Sequence, residues 1–371
     1  MSVRAKEALD QLQPYKAAAT IESVVRGYGY AREDIIKLEG NENRMGASPK
    51  IAGALARMSQ EYSYYPDLNV TLLREKLAAM HGISGENLIF GNGSFELISL
   101  IANAYIGRGD EAISVTPSFN WYYNVTIMNE GIFCEVSTRD DLTIDVESVI
   151  DHVTDKTKVI FICNPNNPTG HLLPEDDLRY LVENTPDSVL LVIDEAYLDF
   201  HSSDYVDTVR LALSKSNVIL LRTFSKSYGL ASFRVGYGIA FGEIISNMSK
   251  VKCPPNISMP AQVAAVTALE DREYLQKVLD NNRIGLQLYY EAFEALGFDY
   301  IKSSTNFVFA HTGLDANLLK EEFLKRAIMI RSGSDYGYNE WIRISVGTYE
   351  DNLRVVSALH EIVQDIKTRE I

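Results

Sequence analysis

The sequence predicts an α/β protein: a mostly parallel sheet with helices on both faces, followed by a smaller α+β domain. Two observations carry this. Between about Asn69 and Ser249, short apolar runs rich in β-branched residues alternate with amphipathic stretches, the pattern of buried parallel strands joined by helices. After Pro254-Pro255-Asn256-Ile257-Ser258-Met259-Pro260 the texture changes to one long helical pattern and a few short strands.

The expected strands of the first part are Leu88-Ile89-Phe90, Ala112 to Val115, Val159 to Ile162, Val189 to Ile193, Val218 to Leu221 and Tyr237 to Ala240. In the second part, Ala261 to Leu296 reads as long helix. Strands are expected around Phe307-Val308-Phe309, Ile328-Met329-Ile330 and Trp341 to Val346, and a last helix from about Tyr349 to Ile366. No internal repeat or low-complexity tract interrupts the pattern.

Length and composition agree with a globular protein of two domains or one large one: 371 residues, 46% hydrophobic and 23% charged. The formal net charge of -15 and pI of about 4.9 argue against nucleic acid as a partner, since a phosphate backbone needs a basic face. Cys134, Cys163 and Cys253 are odd in number and lack metal-site spacing, so reduced, mostly buried thiols are expected and no metal. The first twenty positions lack the apolar core of a signal peptide, and no window reaches membrane-spanning length. A cytoplasmic location is expected.

Five of the expected strands end in clusters that carry chemistry, that of Val115 in Pro117-Ser118-Phe119, and open α/β sheets bind ligands at the carboxyl ends of their strands. Val218 to Leu221 runs into Thr223-Phe224-Ser225-Lys226, with Arg234 eight positions beyond the lysine. A lysine amine condenses with an aldehyde, while hydroxyls and a guanidinium hold phosphate. The set suits a phosphorylated aldehyde such as pyridoxal phosphate. Phe90 leads into Gly91-Asn92-Gly93-Ser94, which reads either as a phosphate cradle at a helix N-terminus or as an ordinary turn with a serine cap. Ile162 leads into Asn164-Pro165-Asn166-Asn167-Pro168-Thr169-Gly170, a rigid turn that presents the Asn167 amide. Asp194 ends an otherwise apolar strand. A buried carboxylate needs a partner, and a pyridinium nitrogen is a suitable one; a helix cap is the plainer alternative.

These motifs resemble the fold-type I, pyridoxal-phosphate-dependent aminotransferases, and most closely the histidinol-phosphate aminotransferase group. The resemblance runs from about Leu12 to Val363 with the motifs in the family's order. It implies Lys226 as the catalytic lysine, with Thr223, Ser225, Arg234 and the amides of Ser94 and Phe95 at the cofactor phosphate. It further implies Phe119 stacked on the cofactor ring (Tyr122 being the alternative), Asn167 and Tyr197 at its phenolic oxygen, and Asp194 at its ring nitrogen. Tyr65, in Tyr64-Tyr65-Pro66-Asp67, would reach the phosphate of the other subunit of a homodimer. Arg343 would pair with a substrate carboxylate, and Arg331, Asn43 and Tyr15 would complete the substrate site.

Two positions depart from the family's pattern: Phe95 stands where an aspartate is common, and Arg44 replaces a proline in Asn41-Glu42-Asn43-Arg44. Domain limits of 1-48 for an N-terminal arm joining the small domain, 49-262 for the cofactor domain and 263-371 for the small domain follow from the resemblance. So does the reaction: transfer of an amino group from L-histidinol phosphate to 2-oxoglutarate in histidine biosynthesis. Aromatic or broad-range transamination is the alternative. A decarboxylase that recognises a phosphorylated amino acid, or a non-catalytic member of the fold, stands further off, since both Lys226 and Asp194 are present. A nicotinamide site lacks its full glycine spacing.

Overall fold

The computed structural model describes residues 3–14, 19–201 and 205–369. After the short strand β1 (Ile36–Lys37), a sheet is built from β2 (Leu88–Gly91), β3 (Glu111–Thr116), β4 (Ile132–Ser137), β5 (Thr157–Cys163), β6 (Leu190–Asp194), β7 (Val218–Thr223) and β8 (Gly236–Ala240). Its order is β2-β8-β7-β6-β5-β3-β4. Neighbours from β7 through β4 pair in parallel, and only β8 runs against its neighbours β2 and β7.

Side chains alternate between the two faces of a strand, so each face builds its own core. Phe90, Ile113, Ile160, Ile162, Leu191 and Leu220 pack on one face with helices that include Thr71–His81, Glu175–Asn184 and Met259–Glu270. Ile89, Ala112, Val159, Phe161, Val192 and Leu221 pack on the other with Ser94–Tyr105, Trp121–Met128 and Gly242–Val251. Burial on both faces is why these runs read as continuously apolar.

The sequence pattern does not reveal β4. It is an edge strand on which Val136 alone is fully buried, so it lacks the apolar run that marks its neighbours. The expected helix over Ala261 to Leu296 is two helices, Met259–Glu270 and Arg272–Leu296. They part at Asp271, whose backbone leaves the helical region and whose carboxylate accepts from Ser48 Oγ and from Lys50 Nζ at 2.8 Å. Among the thiols, Cys163 is buried, but Cys253 is exposed rather than buried as expected.

A second sheet has the order β12-β13-β10-β9, from β9 (Asp299–Tyr300), β10 (Phe307–His311), β12 (Arg331–Ser332) and β13 (Trp341–Ser345). The two-residue strand β11 (Ile328–Met329) pairs in parallel with β1. Ile36 and Leu38 therefore sit in the same core as Phe293, Val308, Ile344 and Leu359 of the C-terminal part. No helix among the described residues is long and apolar enough to cross a membrane.

Candidate active site

Because β5, β6 and β7 run in parallel, their carboxyl ends open on one edge of the sheet. At the end of β7, the Thr223 hydroxyl accepts from the Ser225 amide at 3.1 Å and donates to Ser225 Oγ at 3.0 Å, forming a tight turn that presents Lys226. Lys226 Nζ donates to Gly40 O at 3.1 Å and lies 5.4 Å from the Tyr197 ring centroid. Burial, and then the Arg343 charge, push its amine down to about 8.

At the end of β6, Asp194 is 3% exposed. Its carboxylate accepts from Tyr122 Oη at 2.9 Å and from the Ala196 amide at 3.2 Å, and no basic side chain among the described residues pairs with it directly. Burial raises it to about 6. Tyr122 is fully buried, stacked on Phe161 with centroids 4.8 Å apart. The phenol of Tyr197 accepts from Asn41 Nδ2 at 3.1 Å, and burial pushes its pKa well up.

The turn after β5 is pinned by Asn166, whose amide donates to Pro117 O at 3.0 Å and to Thr169 Oγ1 at 3.1 Å. This fixes Asn167, whose Oδ1 accepts from Arg343 Nη1 at 2.6 Å. The Nδ2 donor of Asn167 is left without a protein partner among the described residues.

After β2, Gly93 adopts φ +75°, and the helix Ser94–Tyr105 starts at the next residue. Arg234, itself at φ +58°, reaches back to Asn92 O at 3.4 Å and to Ser225 Oγ at 3.4 Å. A Cβ on Gly93 would stand 2.4 Å from Arg234 Nη2, and one on Gly236 would stand 2.9 Å from the Ser94 amide nitrogen. The bare backbone thus lets a helix N-terminus, a guanidinium and two hydroxyls come close together, which is the donor set for a phosphate.

One cavity of about 220 Å³ gathers nearly all the residues expected at the cofactor: Ser94, Phe95 and Phe119; Asn167, Asp194 and Tyr197; Thr223, Ser225, Lys226 and Arg234. Phe119 lines it with its ring edge-on to Phe95, 5.1 Å between centroids. A second cavity of about 510 Å³ shares Gly40, Phe119, Tyr197 and Lys226 with the first and adds Glu39, Asn41, Arg331, Tyr336 and Arg343. Arg343 is 4% exposed and donates to Glu39 O at 2.5 Å and to Tyr336 Oη at 2.7 Å. Arg331 Nε lies 2.8 Å from Asp335 Oδ2, close enough for ion pairing but outside hydrogen-bond geometry. Glu39 Oε1, Arg331 Nε and Arg343 Nε are buried without hydrogen-bond partners among the described residues, and all three residues line this one cavity.

Among the described residues expected at the chain's own site, Asn43 is not brought to it. Asn43 lines neither cavity; its amide donates to Ser227 O at 3.0 Å and accepts from the Met45 amide, which shapes its own loop. Asn41, two positions earlier in the same motif, stands at the larger cavity instead. Tyr65 is 85% exposed and lines neither cavity. Tyr15 lies outside the described residues. Tyr122 holds Asp194 rather than a cofactor face; its place three residues after Phe119, where a helix begins, was the available signal. Arg44, the departure from proline, makes a two-point pair with Asp351: Nε to Oδ2 at 3.0 Å and Nη2 to Oδ1 at 3.1 Å.

A mostly parallel sheet that gathers a lysine, a buried aspartate and a phosphate cradle at its strand ends has the architecture of the fold-type I pyridoxal-phosphate transferases. The chain belongs to the aminotransferase class I and II family, whose model matches residues 33–359. It is 38% identical to histidinol-phosphate aminotransferase 2 of Carboxydothermus hydrogenoformans over 97% of this chain and 99% of that one. It is also 38% identical to the histidinol-phosphate aminotransferase of Moorella thermoacetica, over 97% and 93%. Among solved structures, the histidinol-phosphate aminotransferase of Sinorhizobium meliloti in complex with pyridoxal-5'-phosphate superimposes with a TM-score of 0.90 at 25% identity, over 99% of both chains.

Proposed function

We propose that this aminotransferase moves the amino group of L-histidinol phosphate to 2-oxoglutarate, with pyridoxal 5'-phosphate as cofactor. The observation that carries the reading is the pair of adjoining cavities. One holds the lysine, the aspartate and the phosphate cradle; the other holds two arginines whose Nε groups make no hydrogen bond among the described residues. The relatives' names supply the particular substrate.

The residues fit the cofactor. The amides of Ser94 and Phe95, the hydroxyls of Thr223 and Ser225 and the guanidinium of Arg234 would take the phosphate, in the cavity that these residues line. Asp194 would pair with the ring nitrogen, a cationic partner for a carboxylate that burial otherwise destabilises. Asn167 Nδ2 and the Tyr197 phenol would donate to the phenolic oxygen, and Phe119 would lie on the ring. When bound, the cofactor supplies an electron sink for the pair released at the donor's α-carbon. The chain supplies the rest. Lys226 Nζ would hold the aldehyde and move the α-proton; an amine near pKa 8 is suited to both tasks near neutral pH. Arg331 and Arg343 bind the donor's phosphate and the acceptor's carboxylates.

The domain division at about residues 48 and 262 and a cytoplasmic homodimer with Tyr65 reaching the partner's site complete the reading. The high exposure of Tyr64, Tyr65 and Leu68, at 73%, 85% and 55%, supports a covered face there. One observation favours aromatic amino acids as further donors: Phe95, Phe119, Trp121 and Tyr336 all line the larger cavity. The test is glutamate formation from 2-oxoglutarate with L-histidinol phosphate, L-phenylalanine and L-tyrosine as donors. Histidinol phosphate is expected to show the highest kcat/KM. A preference for the aromatic amino acids would move the assignment to them, and release of carbon dioxide without glutamate would replace transamination by decarboxylation.

A further inference from the structure

Glu39 stands out among the residues of the larger cavity because its carboxyl is buried without adequate compensation. The residue is 4% exposed, and Oε1 has no hydrogen-bond partner among the described residues. Lys37 Nζ stands 4.0 Å from it but is itself hydrogen-bonded to Glu42 at 2.5 Å. The main chain at this point is fixed. Leu38 donates to Met329 O at 2.8 Å, accepts from the Ser345 amide at 3.0 Å and puts its side chain in the small-domain core. The Glu39 carbonyl accepts from Arg343. In extended chain the next side chain points away from that core, and Glu39 accordingly lines the cavity with Arg331, Tyr336 and Arg343. Burial raises its carboxyl, opposed by the charges of Lys37, Arg331 and Lys320 and reinforced by Glu42. A buried acceptor left unpaired is costly, so a ligand that brings an N–H to this atom gains more than one that only fills space.

We propose that Glu39 is a specificity-determining residue of the amino-donor site: its carboxylate accepts a hydrogen bond from an N–H on the donor's side chain while the neighbouring arginines take the donor's anionic group. The substrate class is an amino donor with an N–H-bearing ring and an anion. This rests on the proposed transamination but not on histidinol phosphate being the donor. A site built around such a bond rejects an isostere that lacks it.

The experiment compares two donors of similar shape, L-histidinol phosphate and L-phenylalaninol phosphate, in the donor half-reaction of the holoenzyme, with Glu39→Leu and Glu39→Gln beside the parent. The parent is expected to prefer the imidazole donor by about 10- to 100-fold, the worth of one hydrogen bond to a charged group. Glu39→Leu should bring that ratio within about 3-fold by slowing the imidazole donor alone, and Glu39→Gln, which keeps an acceptor oxygen, should fall between. Equal losses on both donors, or an unchanged preference in Glu39→Leu, would overturn the proposal. If neither phosphate donor reacts with the parent, histidinol phosphate is not the donor, and L-histidine against L-phenylalanine then decides the role of Glu39 by the same ratio. A parent without preference for the N–H-bearing member of either pair also overturns it.

Discussion

Lys226 and Asp194 are each held where burial disfavours the charged form, and each shift has a measurable consequence. The Lys226 amine titrates near 8 instead of 10.5, and the neutral amine is the nucleophile. Capture of pyridoxal phosphate by the cofactor-free protein should therefore speed up about tenfold per pH unit below 8 and level off above it. A rise continuing to pH 10 in stopped-flow traces would mean an unperturbed lysine. Lys226→Ala should bind the cofactor without linking to it and lose about 10²- to 10⁴-fold in kcat. Asp194 has the opposite sign from a salt-bridged carboxylate. Its folded pKa of about 6 lies above the unfolded value of 3.8, so the folded protein binds the extra proton in that interval. Stability of the cofactor-free protein should fall as pH rises from about 4 to 6 and stay reduced above. Asp194→Asn should remove that pH dependence, gain on the order of 2–3 kcal/mol in urea melts of the cofactor-free protein at pH 7, and abolish turnover. Tyr122→Phe, which deletes one hydrogen bond to the same carboxylate, should cost kcat/KM about 10- to 100-fold.

The turn between β2 and its following helix and the segment Gly40–Gly46 position these side chains. Gly93 combines φ +75° with a Cβ position 2.4 Å from Arg234, so Gly93→Ala should weaken cofactor binding about 10- to 100-fold in equilibrium titration while the fold persists. Segment Gly40–Gly46 supplies the acceptor for Lys226 and the donor to Tyr197, and Arg44 ties it to Asp351 in the C-terminal helix Tyr349–Arg369. Arg44→Ala should cost about 1 kcal/mol of stability, with a double-mutant cycle against Asp351→Asn assigning the loss to that pair. The turn was legible in the sequence because glycine spacing between a strand and a helix has one backbone meaning. The segment was legible only as a motif. Nothing in Asn41-Glu42-Asn43 tells which asparagine faces a cavity, since that depends on partners more than a hundred residues away: Ser227 for Asn43, Tyr197 and Ser345 for Asn41.

Across the whole molecule, the cores on the two sheet faces could be read from apolar runs, and strand-end clusters pointed to one site. What escaped the sequence were features set by tertiary context: the exposed edge strand β4, the break at Asp271 and the buried carboxyl of Glu39. The proposed homodimer has a direct check. If Tyr65 serves the partner's site, Tyr65→Ala and Lys226→Ala, each weak alone, should regain activity when mixed, since one site per hybrid then has both residues intact. Absence of complementation between subunits shown to exchange would confine Tyr65 to the surface. The visible absorption spectrum of the holoenzyme tests the cofactor and histidinol phosphate as donor at once. Stoichiometric L-histidinol phosphate, added without acceptor, should bleach the band of the lysine-linked cofactor, and 2-oxoglutarate should restore it. A protein that takes up no pyridoxal phosphate, or one whose band histidinol phosphate leaves unchanged, would contradict the account.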